Sequence, residues 1–447
     1  MFQKVLIANR GEIAVRIIQA CRDLGIISVA VYSEADREAL HAQIADEAVC
    51  IGPARAADSY LNMDNIISAA LASDCQAIHP GFGFLSENPD FAERITQAGL
   101  AFIGPTAATI RLMGDKSEAK RNAIAAGVPV ALGTDGPLRD FDEAISEAER
   151  IGYPVMLKAA SGGGGKGIRV AESVKDLKDA YDSAAAEAIA NFGDGRLYME
   201  KYIHNPRHIE VQILGDNYGN VVHLFERECS VQRRHQKLIE ESPSAFVTPE
   251  LREKMTSAAV ALAKRVGYRN AGTIEFLVDN DRNFYFCEMN TRIQVEHPVT
   301  EEVTGVDLVC EQLRVAAGEP LSFQQEDLII RGHAIECRIN AEDPSRNFAP
   351  CPGTLVSLHL PGGPGVRVDS AAYQGYKIPP FYDSMIGKLI VYGADREQAI
   401  VRMRRALAEM LFEGVVTATD YQMHILCSKA FVEANFNVNS IANGDFD

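Results

Sequence analysis

Residues 272–298, GTIEFLVDNDRNFYFCEMNTRIQVEHP, form the stretch that decides the fold. Two runs rich in β-branched and aromatic residues, 273–278 and 284–289, flank the polar cluster 279–283, which has the composition of a turn. This pattern predicts a β-hairpin, in which successive side chains alternate between the two faces.

The predicted register places two glutamates against each other. If the turn centres on Asp281 and Arg282, Glu275 lies directly opposite Glu288, and Asn290 follows on the same face. Opposed residues have Cβ atoms roughly 4.5–5.5 Å apart, and like charges there repel. The pairing therefore predicts a divalent cation between the carboxylates, and oxygen-only ligands favour Mg²⁺ or Mn²⁺ over zinc.

A solvent-exposed hairpin face explains the two glutamates alone equally well, since alternating charged residues are common on strands. The residues that follow favour a functional site. Arg292, Gln294, Glu296 and His297 come soon after Glu288. A solvated loop rarely needs so many different functional groups.

Composition narrows the classes of protein. A chain of 447 residues with 47% hydrophobic residues is long enough for two or three packed domains. The net charge of −17, from 44 basic and 61 acidic residues, argues against nucleic-acid binding. The basic run at 233–237 is therefore expected to serve one local site.

Cysteine usage and hydropathy favour a soluble, unprocessed cytoplasmic protein. The nine cysteines are odd in number and include no C-x-x-C pair, so neither a disulfide framework nor a zinc site is indicated. No apolar run approaches the ~20 residues that a membrane helix needs.

The N-terminal region predicts a βαβ unit, with strands at 4–8 and 27–32 and a helix at 12–24. A further strand at 77–79 runs into the glycine-rich loop 80–88. Ligands bind at the carboxyl ends of strands in open α/β sheets, so this loop is either a ligand loop or a structural turn.

A second glycine loop, 162–167, lies between strands predicted at 153–159 and 168–171. Its G-x-G-x-x-G pattern is not followed by a helix until about Val174, and no G-K-[ST] occurs, so Rossmann and P-loop sites are not indicated. We expect a flexible flap whose backbone N–H groups wrap phosphates. A purely structural hairpin would carry the entropic cost of so many glycines.

The rest of the chain alternates strands and helices. Residues 206–214 predict a half-buried strand with His208 and Glu210 on one face, pairing with 221–225. Further elements are predicted as strands at 196–201, 332–340 and 388–392 and helices at 249–266 and 396–411.

Five stretches together resemble the biotin carboxylase family: IANRGEIA at 7–14, HPG at 79–81, the glycine loop, EMNTRIQVEHP at 288–298 and ECRINAEDP at 336–344. The resemblance runs through all 447 residues, and the EMNTRIQVEH block is highly specific. It implies an α/β (α+β) protein of the ATP-grasp fold.

That family organisation implies five segments. They are an N-terminal open βαβ domain at 1–115, a linker helix at 116–130, a mobile lid with the glycine flap at 131–202, a body with the metal hairpin at 203–330, and a C-terminal mixed domain at 331–447.

The resemblance also implies roles for individual residues. Nucleotide-binding positions are matched by Lys116, Lys158, Gly163, Gly164, Gly165, Glu200, Lys201, Tyr202, Ile203, His208, Gln232, His235, Glu275 and Glu288. The metal positions are Glu275, Glu288 and Asn290, and the bicarbonate positions are Lys237, Arg292, Gln294 and Val295. Glu296 matches the catalytic base, and Lys237, Arg292 and Arg338 complete the catalytic set. Phe82, Gly83 and Arg338 match the biotin site, although many members have tyrosine in place of Phe82, which puts a hydroxyl contact there in question.

The implied reaction converts ATP and bicarbonate into carboxyphosphate, which delivers CO₂ to biotin. No Met-Lys pair of the biotin-acceptor type occurs in the chain, so biotin is expected on a separate biotin carboxyl carrier protein. A homodimer and carboxyltransferase subunits are implied as well. Acetyl-CoA carboxylase and fatty acid synthesis are the default pathway, and the alternative is that the chain serves a propionyl-CoA or pyruvate carboxylase.

Two other classes remain open at this point. Another ATP-grasp ligase would explain the flap and the hairpin but not the 292–296 block or Arg338. A nucleotide-sensing module without chemistry would keep the flap but would not need Glu296.

Overall fold

The computed structural model describes residues 1–159 and 168–447. The glycine flap, with Gly163, Gly164 and Gly165, lies outside the described residues. The flap therefore stays a prediction.

The N-terminal region is a parallel sheet with helices on both faces. Its elements are β1 (Lys4–Ile7), α1 (Gly11–Asp23), β2 (Ile27–Tyr32), α2 (Leu40–Ile44), β3 (Glu47–Cys50), α3 (Met63–Ala72), β4 (Ala77–His79), α4 (Pro89–Gln97), β5 (Ala101–Phe102) and α5 (Ala107–Gly114). The strand order is β3-β2-β1-β4-β5. Alternate residues of β1 enter separate cores, Leu6 on one face and Val5 and Ile7 on the other, because both faces are covered. The predicted βαβ unit is confirmed.

A small antiparallel sheet follows. Its region contains α6 (Lys116–Ala125), α7 (Phe141–Ile151), β6 (Val155–Ala159), β7 (Ile168–Ala171), α8 (Val174–Phe192) and β8 (Leu197–Lys201), with strand order β7-β6-β8. The strand–loop–strand prediction around the glycine flap is confirmed for the two strands. Leu157, Leu177 and Met199 lie in a core of their own beneath this sheet.

The largest sheet has eight strands in the order β13-β12-β9-β10-β11-β14-β19-β18. Its strands are β9 (Arg207–Gly215), β10 (Val221–Arg233), β11 (Gln236–Ser242), β12 (Asn270–Val278), β13 (Phe284–Asn290), β14 (His333–Asn340), β18 (Val366–Ser370) and β19 (Met385–Gly393). The longer helices of this region are α9 (Pro249–Arg265), α10 (His297–Thr304), α11 (Leu308–Ala316) and α12 (Arg396–Glu409). The shorter elements are β15 (Glu342–Asp343), β16 (Ala349–Pro350), β17 (Ser357–His359), β20 (Leu411–Glu413), α13 (Thr419–Cys427), α14 (Lys429–Val432) and α15 (Ser440–Asn443).

The hairpin predicted from residues 272–298 is β12 and β13. Glu275 pairs with Glu288 and Thr273 pairs with Asn290, so the predicted register is confirmed. A β-bulge follows Glu275 and shifts the pairing by one residue before the turn.

Strand β9 differs from its prediction. All nine of its residues are buried, so the half-buried interpretation is wrong. One face packs Ile209 and Val211 into the core under α9, as expected. The opposite face carries His208 and Glu210 and is also shielded, because their charges are matched by neighbouring side chains and α10 covers the adjacent β10.

Among residues 1–159 and 168–447, no helix combines the length and the apolar character that crossing a membrane requires.

Candidate active site

A row of four charged residues crosses the polar face of the large sheet. Glu210 on β9 pairs with Arg227 on β10 and, on its other side, with Glu275 on β12. Glu275 in turn pairs with Glu288 on β13. Three carboxylates in adjacent strands would repel one another, so the site depends on cations supplied from elsewhere.

Lys237 supplies the central cation. Its Nζ lies 2.6 Å from Glu210 Oε2, 3.1 Å from Glu275 Oε1 and 2.5 Å from Glu296 Oε1. Burial lowers the pKa of this ammonium, but the three carboxylates outweigh burial and hold the pKa well above its ordinary value. Lys237 is therefore a permanent positive charge in the site.

Glu296 lies between two cations. Its Oε1 accepts from Lys237, and its Oε2 accepts from Arg338 NH2 at 2.9 Å. Burial raises the pKa of Glu296, but Lys237 more than offsets this and keeps the pKa below its ordinary value. Arg338 is anchored in turn by Glu240, whose Oε1 lies 2.6 Å from the guanidinium Nε. The structure thus brings together the predicted base, one bicarbonate residue and the predicted biotin residue.

His208 adds a further positive charge. Its Nε2 lies 3.4 Å from Glu210 Oε2 and 3.3 Å from Glu275 Oε2. Burial lowers the pKa of the imidazole, but Glu275 and Glu210 reverse that effect and raise the pKa to about 9. With Glu210 and Glu275, His208 forms a group of three side chains whose ligand atoms lie close enough together to hold a metal ion.

The carboxylates of Glu275 and Glu288 fit a divalent cation. Burial and then the neighbouring Glu275 raise the pKa of Glu288, as expected for a carboxylate that faces a like charge. Surrounding protein crowds the Glu288 carboxylate, but the residue keeps an exposed surface that a cation with its water shell can reach. Asn290, the third predicted metal position, donates from Nδ2 to Glu275 Oε1 at 2.9 Å, and its Oδ1 accepts from Arg292 at 3.0 Å.

Arg292 joins the site to the N-terminal region. Its Nε donates to Glu87 Oε2 at 2.7 Å, and the Glu87 Oε1 accepts from the backbone N–H of Thr291 at 3.0 Å. Glu87 lies in the glycine-rich loop 80–88, so this loop contacts the segment that carries Arg292. In the same loop, the Phe82 carbonyl accepts from Asn9 at 2.7 Å, and Gly83 has a φ of +68°, which glycine adopts without strain.

Two buried cations lie behind the segment 291–296. Arg227 NH2 donates to Gln294 Oε1 at 2.8 Å, and Gln294 Nε2 donates to Glu275 Oε1 at 2.8 Å. Lys388, with a fully buried side chain, donates from Nζ to the Val295 carbonyl at 2.9 Å. One buried cation thus holds the side chain of Gln294, and the other holds the backbone of Val295.

Three of the predicted nucleotide residues, Lys158, Glu200 and Lys201, lie on β6 and β8, in a sheet separate from the row of carboxylates. Glu200 is shared by Lys158 at 2.6 Å and Lys120 at 3.2 Å. Burial lowers the pKa of Lys158, but Glu200 outweighs it and the pKa lies above its ordinary value. Lys201 turns back to the carbonyl oxygens of Gly152 and Tyr153, at 3.0 and 2.7 Å.

The other predicted nucleotide residues lie at or near the ends of neighbouring elements. Lys116 is the exposed first residue of α6, and Tyr202 and Ile203 follow β8 in half-buried positions. Gln232 is buried and pairs with Lys237, while His235 is exposed in the β10–β11 turn with a φ of +64°.

The basic run 233–237 does not act as one unit. Arg233 stacks on Phe348, with its guanidinium carbon 4.4 Å from the ring centroid. Arg234 and His235 are exposed in the turn, and only Lys237 reaches the carboxylates described above. The expectation that this run serves one local site stays a prediction, with Lys237 as its member in contact with the carboxylates.

Sequence reasoning missed several residues that hold the site together: Glu87, Lys120, Glu210, Arg227, Glu240 and Lys388. A signal existed for Glu210, which shares a strand face with His208. The others could not be identified from local sequence, because their partners lie far away in the chain.

Three family descriptions match the chain. They are "Biotin carboxylase, N-terminal domain" at residues 1–110, "Carbamoyl-phosphate synthase L chain, ATP binding domain" at 115–324 and "Biotin carboxylase C-terminal domain" at 336–443.

Curated relatives match over almost their whole length. The chain is 56% identical over 446 residues to biotin carboxylase 1 of Bacillus subtilis, covering 100% of this chain and 99% of the relative. It is also 56% identical over 431 residues to a pyruvate carboxylase subunit from Methanothermobacter thermautotrophicus, covering 96% and 88%.

Solved structures also match the chain over almost its whole length. A biotin carboxylase–β,γ-ATP complex from Campylobacter jejuni matches with a TM-score of 0.94 and 50% identity, covering 99% of both chains. The biotin carboxylase domain dimer of Hydrogenobacter thermophilus 2-oxoglutarate carboxylase, described with MgADP, ADP and bicarbonate, matches with a TM-score of 0.93 and 51% identity, covering 100% and 99%.

The fold and the site define an enzyme of the ATP-grasp class. Within that class, the chain belongs to the biotin carboxylase family.

Proposed function

We propose that this protein uses ATP and bicarbonate to carboxylate biotin that is attached to a separate carrier protein. The observation that carries the proposal is the position of Glu296, which shares one oxygen with Lys237 and the other with Arg338. A residue suited to activate bicarbonate and a cation suited to face biotin thus meet at the same carboxylate.

The first step needs a positioned nucleotide. Lys158 and Lys120, held by Glu200, provide cations for the phosphates, and the family resemblance assigns Lys116, Lys201, Tyr202, Ile203, Gln232 and His235 to the nucleotide as well. Glu275 and Glu288 would hold Mg²⁺, or Mn²⁺ in its place, and a divalent cation there would supply positive charge during phosphoryl transfer. The MgADP described for the Hydrogenobacter relative supports this assignment.

Bicarbonate is held by donors around Glu296. Lys237, Arg292 and the amide of Gln294 carry donors that contact Glu296, Asn290 and Glu275, and together with Val295 these side chains would bind bicarbonate. Glu296 is ionised and can accept the bicarbonate proton. Bicarbonate oxygen then bonds to the γ-phosphorus as the bond to ADP breaks, which gives carboxyphosphate.

Biotin is carboxylated in a second stage. Carboxyphosphate breaks down to CO₂ and phosphate, the ureido nitrogen of biotin gives its proton to the released phosphate, and the deprotonated nitrogen attacks CO₂. Arg338 stabilises the negative charge on the ureido oxygen. Phe82 and Gly83 on the loop 80–88 would form the wall of the biotin site.

We also propose that the protein forms a homodimer and works with a biotin carrier protein and carboxyltransferase subunits. The Hydrogenobacter structure is described as a domain dimer, which supports the homodimer. Acetyl-CoA carboxylase in the cytoplasm is the first candidate for the complete enzyme. Pyruvate carboxylase is the second, because the chain is 56% identical both to Bacillus subtilis biotin carboxylase 1 and to the Methanothermobacter pyruvate carboxylase protein.

ADP release measured with and without bicarbonate and free biotin tests the reaction. We expect release that depends on bicarbonate, rises with biotin and is accompanied by carboxybiotin. ADP release that is indifferent to bicarbonate would exclude the proposal. Reconstitution with purified carrier protein and either an acetyl-CoA or a pyruvate carboxyltransferase then separates the two candidate pathways.

A further inference from the structure

Arg227 is one of the largest side chains that the fold buries completely, with 0% of its surface exposed. A guanidinium has five N–H donors, and here each has its own acceptor. The partners are Glu210 Oε1 at 2.6 Å, Gln212 Oε1 at 2.6 Å, Thr300 Oγ1 at 3.0 Å, Thr273 Oγ1 at 3.1 Å and Gln294 Oε1 at 2.8 Å. Arg227 therefore ties three strands and α10 to the segment 291–296.

The contact with Gln294 determines which end of its amide faces the site. Arginine only donates hydrogen bonds, so the amide must present its oxygen to Arg227 and direct its NH₂ group away. One N–H of that group donates to Glu275 Oε1 at 2.8 Å. In the part of the chain that the structure describes, this is the amide nitrogen's acceptor on the site side, so its second N–H is available to an anion.

We propose that Arg227 is a positioning residue that fixes Gln294 as a hydrogen-bond donor to bicarbonate. The inference rests on the proposed function. Without Arg227 the amide oxygen loses its donor, and the contact with Glu275 alone holds an amide whose oxygen and nitrogen have nearly the same shape. An inverted amide would point its oxygen at Glu275 and at the bicarbonate oxygens, which repels both.

Lysine cannot replace this arrangement. An ammonium has three donors around a single point, whereas the planar guanidinium reaches the sheet on one side and Gln294 on the other. Arg227→Lys therefore keeps the positive charge beside Glu210 while removing the fixed orientation of the amide. This makes it a better test than removal of the charge.

The experiment is a double-mutant cycle with Arg227→Lys and Gln294→Ala. We expect each single variant to raise the KM for bicarbonate about tenfold, as for the loss of one charge-assisted hydrogen bond, with the KM for ATP nearly unchanged. If Arg227 acts through Gln294, the double variant is no worse than Gln294→Ala alone. Two effects that multiply would overturn the proposal.

Arg252→Lys is the matched control. Arg252 donates two hydrogen bonds of 2.7 Å to Glu226, the residue before Arg227, on the side of β10 away from the site. We expect this control to lower the melting temperature without changing the KM for bicarbonate. An equal change in KM would show that the effect of Arg227→Lys is general loosening of the fold.

Gln294→Glu gives a test that leaves Arg227 in place. The new carboxylate would pair with Arg227, which favours folding, but it would offer the site an acceptor instead of a donor. We expect a higher KM for bicarbonate than in Gln294→Ala. Wild-type bicarbonate use by Gln294→Glu would overturn the proposal even if Arg227→Lys fails to fold.

Calorimetric titration of bicarbonate into the same variants separates this inference from the proposed function. A non-additive binding cycle in a protein without biotin-dependent turnover would refute the reaction and support the role of Arg227. Normal turnover with additive effects on binding would refute the role of Arg227 alone.

Discussion

Arg338 and Glu296 should act at different stages, and the structure indicates how far apart the two variants will be. Arg338→Gln removes the guanidinium that donates to Glu240 at 2.6 Å and to Glu296 at 2.9 Å. Glu296 nevertheless keeps Lys237 at 2.5 Å on its other oxygen. Bicarbonate activation should therefore survive in Arg338→Gln and be abolished in Glu296→Ala.

The expected separation is large. Losing one well-placed donor at a developing oxyanion costs ~10²–10³ in rate, so carboxybiotin formation by Arg338→Gln should fall by about that factor. Its bicarbonate-dependent ATPase should fall by less than about tenfold, since an ion pair with one remaining cation is still present. Glu296→Ala should lose both activities, with or without biotin.

The assay follows ADP release and carboxybiotin in the same reaction, with circular dichroism to establish folding. Arg396→Gln is a matched control, because Arg396 pairs at 2.7 Å with Glu241, the neighbour of Glu240 on β11, and its side chain is 16% exposed against 17% for Arg338. Both activities should be normal in this control. Equal losses of ATPase and carboxylation in folded Arg338→Gln and Glu296→Ala would refute the two-stage assignment.

Two further predictions concern metal binding and pH. Glu288→Gln should lower ATP turnover more than tenfold at limiting Mg²⁺. Its melting temperature should be unchanged or higher, because the negative charge opposite Glu275 is removed. Unchanged turnover would exclude the hairpin from metal binding. Burial in the fold lowers the pKa of His41 to about 4, from about 6.5 in an unfolded chain, so the unfolded state binds the proton first as the pH falls. As the pH falls from about 6.5 to 4, this residue should lower the free energy of unfolding by up to ~3 kcal/mol. In His41→Gln the melting temperature should depend less on pH over that range. A pH dependence as steep as that of the wild type would contradict the prediction.

The hairpin register was predictable because its information is local. Alternation and turn composition within residues 272–298 were enough to place Glu275 against Glu288. The pairing of Glu275 with Glu210 was not predictable in the same way, since the two are far apart in the chain and strand order depends on the whole sheet.

The length of β10 shows why charge patterns can mislead. The sequence predicted a strand at 221–225, whereas β10 continues to Arg233. Most of residues 226–233 are polar or charged, yet Arg227 and Glu228 are buried with partners on β9. Such internal pairing leaves no periodic signal, so Arg227, Glu240 and Lys388 could be found only from the fold.

The continuity of the eight-stranded sheet has a practical consequence for fragments and chimaeras of this protein. The segment boundary at residue 330 falls between β13 and β14 in sequence, but in space β14 is hydrogen-bonded to β11. A chain cut there would leave β11 as a free edge with Ile239 and Glu241 uncovered, and unprotected edges template aggregation. Exchanging the C-terminal part between family members therefore requires matching the β11–β14 seam, whereas the three-stranded sheet carrying the flap can be exchanged as a self-contained unit.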